Sequence, residues 1–247
     1  MDKEKIPRCN ILGVNIAATN MDSALSFIKE NLEKLSGKYI CISNVHTTVM
    51  SYDNPDYKMI QNRAVLALPD GKPLSVVCRK RGFQEADRVT GPDLMKEIFE
   101  CSKEYGYRHY FYGSTPETLE LLREKLQEKY GLTIAGMYSP PFRKLTAEED
   151  WACMEKINQA QADFVWVGLG APKQEQWMYE HEGKINGIMI GVGAGFDYFA
   201  GNIKRAPMWM QKCSLEWLYR LMQDPKRLFK RYLVTNTRFL WLLARGK

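Results

Sequence analysis

Short runs of four or five apolar residues alternate along this chain with longer stretches in which apolar positions recur every three or four residues. The first pattern predicts buried strands and the second amphipathic helices. Asn10–Ala17 reads as a short edge strand. The polar tetrad Thr19-Asn20-Met21-Asp22 then opens a helix carrying Ala24, Leu25, Ile28, Leu32 and Leu35 on one face. Tyr39–Ser43 is a strand ending at Asn44, followed by helical pieces Val45–Tyr52 and Tyr57–Gln61 split by Asn54-Pro55. Ala64–Leu68 is a buried strand closed by Pro69-Asp70-Gly71. Pro73–Arg81 reads as helix, Glu85–Gly91 as a polar loop and Pro92–Tyr105 as an amphipathic helix.

The alternation continues. Strand Arg108–Tyr112 leads through Gly113-Ser114-Thr115-Pro116 into helix Glu117–Tyr130. Strand Leu132–Met137 leads through an irregular loop from Tyr138 into helix Thr146–Gln161, opened by a Thr146/Glu149 capping box. Two more apolar runs, Phe164–Val167 and Ile188–Val192, each stop at glycines. The first meets Gly168-Leu169-Gly170-Ala171-Pro172 and then Lys173-Gln174-Glu175. The second meets Gly191-Val192-Gly193-Ala194-Gly195 and then Phe196-Asp197. Strands and helices in this order predict an α/β fold, a mostly parallel Rossmann-like sheet flanked by helices.

Composition adds a boundary. The chain has 247 residues, a length that suits one full core with an appendage, and its 45% hydrophobic and 26% charged content is ordinary for a globular protein. No apolar run approaches the ~18–20 residues of a membrane span, and the N-terminus has no signal-peptide core. The six cysteines show no C-x-x-C pair and read as reduced thiols, so a cytoplasmic protein is expected. The net charge of +6 is uneven, because residues 204–247 hold 11 Lys or Arg and only two acids, Glu216 and Asp224. The expected division is therefore an α/β core over residues 1–200 and a basic, amphipathic helical appendage over 201–247. Such a segment seeks phosphate, nucleic acid or an anionic membrane surface.

Candidate chemistry gathers at the strand ends. Asp70 follows a buried strand and precedes glycine, so its carboxylate is placed to act as general base at the sheet's ligand-binding edge; a plain turn aspartate is the other reading. Asn44, with Ser43 and Thr47 beside it, is either a ligand contact or a helix cap. Arg88 is a candidate diphosphate contact or a solvated surface arginine. Gly191, Gly193 and Gly195 let backbone amides approach a ligand, or serve as tight turns. Asp197 is placed to hold a sugar hydroxyl, and Gly113, Ser114 and Tyr138 lie where a nucleotide base or phosphate would. No Asp-x-Asp triplet, zinc-ligand spacing or Walker loop is present, and the glycine turn after the last strand is not a G-x-G-x-x-G fingerprint.

Several of these segments also carry a resemblance. Pro69-Asp70-Gly71, Arg88-Val89-Thr90-Gly91-Pro92-Asp93-Leu94, Gly168 through Glu175, Gly191 through Asp197 with Gly201, and Lys204-Arg205-Ala206-Pro207 resemble the signature of the WecG/TagA/CpsF glycosyltransferases. Leu215-Glu216-Trp217-Leu218-Tyr219-Arg220, Asp224-Pro225 and Arg227 extend it, from about Asn10 to Leu233. The resemblance implies an inverting, metal-independent transfer from a UDP-sugar to a prenyl-diphosphate-linked saccharide, with no cofactor. It implies Asp70 as base and Gln174 as a sugar contact, with Arg88, Lys173, Glu175, Lys204 and Arg205 around the substrates. The family usually has a threonine just before the asparagine, where this chain has Ile42-Ser43-Asn44. Tail arginines Arg220, Arg227 and Arg231 are implied to grip the acceptor diphosphate, with the tail on the inner face of the cell membrane. A homo-oligomer covering the apolar tail is a further expectation, and nucleic acid is not an expected partner. A dinucleotide-dependent oxidoreductase would account for the glycine turns, and a nucleic-acid-binding module for the basic tail; neither accounts for Lys-Gln-Glu and Lys-Arg-Ala-Pro together.

Overall fold

Six strands line up in parallel, in the order β4-β3-β8-β7-β5-β6, and helices cover both faces. The computed structural model describes residues 6–212 and 215–246, with the side chains of Lys212 and Arg227 outside that description. The strands are β3 (Tyr39–Ser43), β4 (Leu66–Pro69), β5 (Arg108–Gly113), β6 (Thr133–Tyr138), β7 (Phe164–Gly168) and β8 (Ile188–Gly191). A continuous parallel sheet buries both faces, which is why these strands are apolar throughout rather than alternating. Ile40, Ile42, Phe111, Trp166 and Ile190 point to one face, under α1 (Met21–Glu30), α5 (Gly91–Tyr105), α6 (Pro116–Tyr130) and α9 (Gly195–Ala200). Tyr39, Cys41, Tyr112, Val165 and Met189 point to the other, under α3 (Pro55–Arg63), α7 (Ala147–Gln159) and α8 (Lys173–Glu180).

The expected edge strand at Asn10–Ala17 is instead a hairpin outside the main sheet, β1 (Arg8–Ile11) paired antiparallel with β2 (Val14–Ala17). Its two-residue turn places both Leu12 (φ 51) and Gly13 (φ 86) in the left-handed region. Leucine is disfavoured there, so the sequence lacks the Asn-Gly signal that marks such turns. The hairpin packs with α2 (Val45–Asp53) and α4 (Lys72–Lys80) into a third apolar cluster that also takes Phe239 and Leu242.

Those two residues belong to the tail. After α9, α10 (Met208–Lys212) and α11 (Glu216–Gln223) lead into α12 (Pro225–Ala244), whose far end returns to the body against α2 and pairs Arg238 with Asp53. One side of the tail is therefore anchored, through Leu228, Phe239 and Leu242. The other side is bare: among the described residues, nine of the fourteen exposed large apolar side chains lie between Met208 and Trp241. No helix among the described residues is long and apolar enough to cross a membrane. Cys9, Cys41, Cys78, Cys101 and Cys153 are free thiols, as expected, and Cys213 lies outside the described residues.

Candidate active site

In an all-parallel sheet every carboxyl end falls on one edge, and ligands bind outside it. Asn44, Asp70, Gly113, Tyr138, Gly168 and Gly191 all stand on that edge here. β4 and β6 are five strand spacings apart, about 24 Å, so Asp70 and Tyr138 do not meet at one reacting centre. Tyr138 instead borders a cavity of about 260 Å³ with Pro116, Arg123 and Ser139, where Ser139 Oγ donates to the Ser114 carbonyl at 2.7 Å.

Asp70 is fixed from β3. Its N–H donates to the Ser43 carbonyl at 2.7 Å, and the Asn44 side chain hydrogen-bonds its carboxyl. Asn44 does two jobs. Its Oδ1 caps α2 by accepting the Thr47 N–H at 3.2 Å, which leaves the amide nitrogen to donate to Asp70. Burial pushes the Asp70 carboxyl up to about 6, against Arg220 and Arg88, which pull it down, and with Glu216, which adds to the rise. The side chain stays partly exposed, so a substrate proton can reach it.

Arg88 is brought alongside because the Val89 N–H donates to the Pro69 carbonyl at 2.8 Å, pinning the loop beside the end of β4. Its guanidinium donates to Glu216 Oε2 at 3.1 Å. Arg205 joins the same cluster, pairing with Asp93 at 2.7 Å and Glu216 at 3.6 Å. Arg220 lies over the Tyr198 ring, 5.7 Å from its centroid, and Arg231 approaches His46 at the start of α2. Burial, then Arg231, pushes the His46 imidazole below its ordinary value. Arg227 lies in α12, with its side chain outside the described residues. Lys173 is exposed at the head of α8, and Lys204 is exposed just before Arg205.

Several sequence candidates face inward. Ser43 is fully buried and donates to Gln61 Oε1 at 2.6 Å, while Thr47 closes the α2 capping box. Gln174 and Glu175, expected to face the substrate, are buried at 4% and 0% exposure, because the first turn of α8 packs with Trp177 and Met178 on the sheet. Asp197 accepts from Asn202 at 3.2 Å. Glu216 and Tyr198 stand in this arginine cluster and were not among the sequence candidates. Glu216 had a signal, as one of two acids in a basic tail; Tyr198 had none.

Packing requires glycine at position 113. Gly113 sits at φ +118°, and a Cβ there would lie 2.7 Å from the Gly168 backbone. The ends of β5 and β7 touch backbone to backbone. We expect Gly113→Ala to destabilise the fold by roughly 2–4 kcal/mol, since left-handed strain and overpacking add. A thermal melt checks this, and an unchanged midpoint would mean the two strand ends can separate freely.

A larger cavity, of about 660 Å³, lies between α5, α6 and α9 and touches this site only through Tyr198 and Arg205. At the sheet edge a carboxyl raised toward neutrality stands among guanidinium groups. Such an arrangement suits proton transfer beside an anionic ligand.

Comparison with known proteins narrows the class. The model of the Glycosyl transferase WecG/TagA/CpsF family matches residues 9–247, and the chain belongs to that family; it is a glycosyltransferase. It is 27% identical over 249 residues, 100% of this chain and 96% of the relative, to an N-acetylglucosaminyldiphosphoundecaprenol N-acetyl-beta-D-mannosaminyltransferase of Staphylococcus aureus (strain MW2). A protein of the same name from Bacillus subtilis (strain 168) is 28% identical over 218 residues, 87% of this chain and 83% of the relative.

Proposed function

We propose that this glycosyltransferase moves N-acetylmannosamine or a related hexose from a UDP-sugar to an undecaprenyl-diphosphate-linked N-acetylglucosamine, in teichoic-acid-like surface polymer synthesis. The acceptor and sugar follow the names of the relatives. The observation that carries the mechanism is Asp70, partly exposed at the carboxyl edge, held by Asn44 and raised to about 6.

Asp70 takes the proton from the acceptor hydroxyl as that oxygen bonds to the anomeric carbon. The bond from that carbon to the UDP oxygen breaks on the opposite face, inverting the centre, and UDP leaves as the anion. Arg88, released from Glu216, meets the charge developing on the diphosphate. Arg220, Arg227 and Arg231 meet the diphosphate of the acceptor, and the bare apolar and basic side of the tail lies on the anionic membrane surface from which the acceptor is taken. Ser43 and Thr47 keep structural roles.

The reading is tested by UDP release with a panel of UDP-sugars and a short-chain prenyl-diphosphate–N-acetylglucosamine acceptor. One donor is expected to give acceptor-dependent release, unchanged by excess EDTA. Release abolished by EDTA and restored by a divalent ion would overturn the metal-independent mechanism, and no release with any donor would overturn the reaction.

A further inference from the structure

Behind the site runs a buried line of polar groups that no step of the transfer uses. Gly193 N–H donates to Gln174 Oε1 at 3.0 Å, and Gln174 Nε2 donates to Glu175 Oε1 at 2.8 Å. From the other side, Ser43 Oγ donates to Gln61 Oε1 at 2.6 Å and Gln61 Nε2 donates to the Tyr57 hydroxyl at 3.0 Å. Tyr57's hydroxyl lies against the Glu175 carboxyl, and its own hydrogen is left to point there.

The direction of the first line follows from chemistry. A backbone N–H only donates, so the Gln174 carbonyl must face Gly193 and its NH2 must face Glu175. On the second line the Gln61 carbonyl accepts from Ser43 and its NH2 faces Tyr57. The Gln174 amide donates to Glu175, which is wholly buried, with Oε2 lacking any hydrogen-bond partner, and the Tyr57 hydroxyl lies beside that carboxyl. A carboxyl offers an oxygen to each of the Gln174 amide and the Tyr57 hydroxyl, which a carboxamide cannot. The two ends are the two walls of the site. Ser43 accepts the Asp70 N–H through its carbonyl, and Gly193 belongs to the glycine turn after β8, the neighbour of β3. A Cβ at Gly191 would lie 2.8 Å from Met178 Cε and 3.0 Å from Gln174 Nε2, so the glycine lets the Gln174 amide lie close against the end of β8.

We propose that Glu175 is a positioning residue for the transfer: as common acceptor it fixes the amide of Gln174, and through it the glycine turn that faces the donor. This rests on the sugar-nucleotide reading above for what the turn faces, and on the hydrogen bonds alone for what Glu175 does.

Glu175→Gln leaves one acceptor oxygen where two donors converge, so either the Gln174 NH2 or the Tyr57 hydroxyl loses its partner and the Gln174 amide is held less firmly. The expected result is donor KM raised about tenfold with kcat within about twofold, and Gly193 amide exchange about tenfold faster. Tyr57→Phe, which cuts only the other line, should leave Gly193 exchange at the wild-type rate. The exchange of side chains, Gln174→Glu with Glu175→Gln, keeps every donor facing an acceptor and should restore both donor KM and Gly193 exchange. Wild-type Gly193 exchange and donor KM in Glu175→Gln would overturn the proposal, as would a folded double variant as impaired as the single one. If Glu175→Gln does not fold, the double variant alone decides by the same two readouts. Wild-type enzyme that releases no UDP would sink the reaction, while Gly193 exchange would still judge the role of Glu175.

Discussion

Asp70→Asn should lower acceptor-dependent UDP release by roughly 10²–10⁴-fold while making the protein more stable. The two effects have one cause. Burial holds the carboxyl up at about 6, from an ordinary 3.8, so the ionised form is disfavoured in the folded state. Between those values the folded protein binds a proton that the unfolded chain has released, and stability falls as pH rises through this window. At neutral pH the charge is a cost, of roughly 3 kcal/mol at full burial; with the partial exposure of this side chain about 1–2 kcal/mol is expected. Asparagine keeps the shape without the charge. Its melting temperature at pH 7.5 should rise by several degrees, and the gain should vanish near pH 4. Wild-type kcat/KM should rise with pH through an acid limb near 6, where the base ionises, and then level. An asparagine variant with near-normal turnover, or a wild-type limb near 4, would remove Asp70 from the role of base.

Topology made the position of Asp70 legible, while its role as base is what the family resemblance implies. Once strands and helices alternate, a parallel sheet follows, and a parallel sheet sends every strand end to one edge. Asn44, Asp70, Gly168 and Gly191 were placed by that argument, and the structure sets them there. The orientation of side chains was less accessible. Gln174 and Glu175 open a helix after a glycine turn, a position that reads as facing the substrate cleft, yet Trp177 and Met178 turn that face onto the sheet and take the polar pair inside with them. Nothing local in the sequence signals that this glutamate is buried, with Tyr57 from far back in the chain beside it. Ser43 and Thr47 were hydroxyls in the right neighbourhood, but a strand interior and a capping box had prior claim on them. The pairing of Arg88 with Glu216 joins residues 128 apart, and only the folded tail reveals it.

That pairing leads to the second large effect. Glu216 occupies Arg88 and reaches Arg205, a carboxylate standing among the cations proposed to receive a diphosphate. Arg88→Ala removes a charge-stabilising donor and should lower kcat by roughly 10²–10³-fold, the usual loss for one such contact. Glu216→Gln should act in the opposite sense on binding: with its counter-ion gone, Arg88 is free for UDP, and the UDP Kd should tighten by about tenfold, the scale of one charge-assisted hydrogen bond. Both tail charges also act on the base, with opposite signs. Glu216 raises the Asp70 pKa and Arg220 lowers it. The acid limb of kcat/KM should therefore move below 6 in Glu216→Gln and above 6 in Arg220→Ala. Calorimetric titration with UDP and a pH profile of each variant make the comparison. If the two substitutions shift the limb in the same direction, the tail does not set the charge around Asp70, and the limb belongs to another group. If UDP binds Glu216→Gln no more tightly than wild type, the Arg88–Glu216 pair is not broken when diphosphate enters, and Arg88 acts from where it already stands.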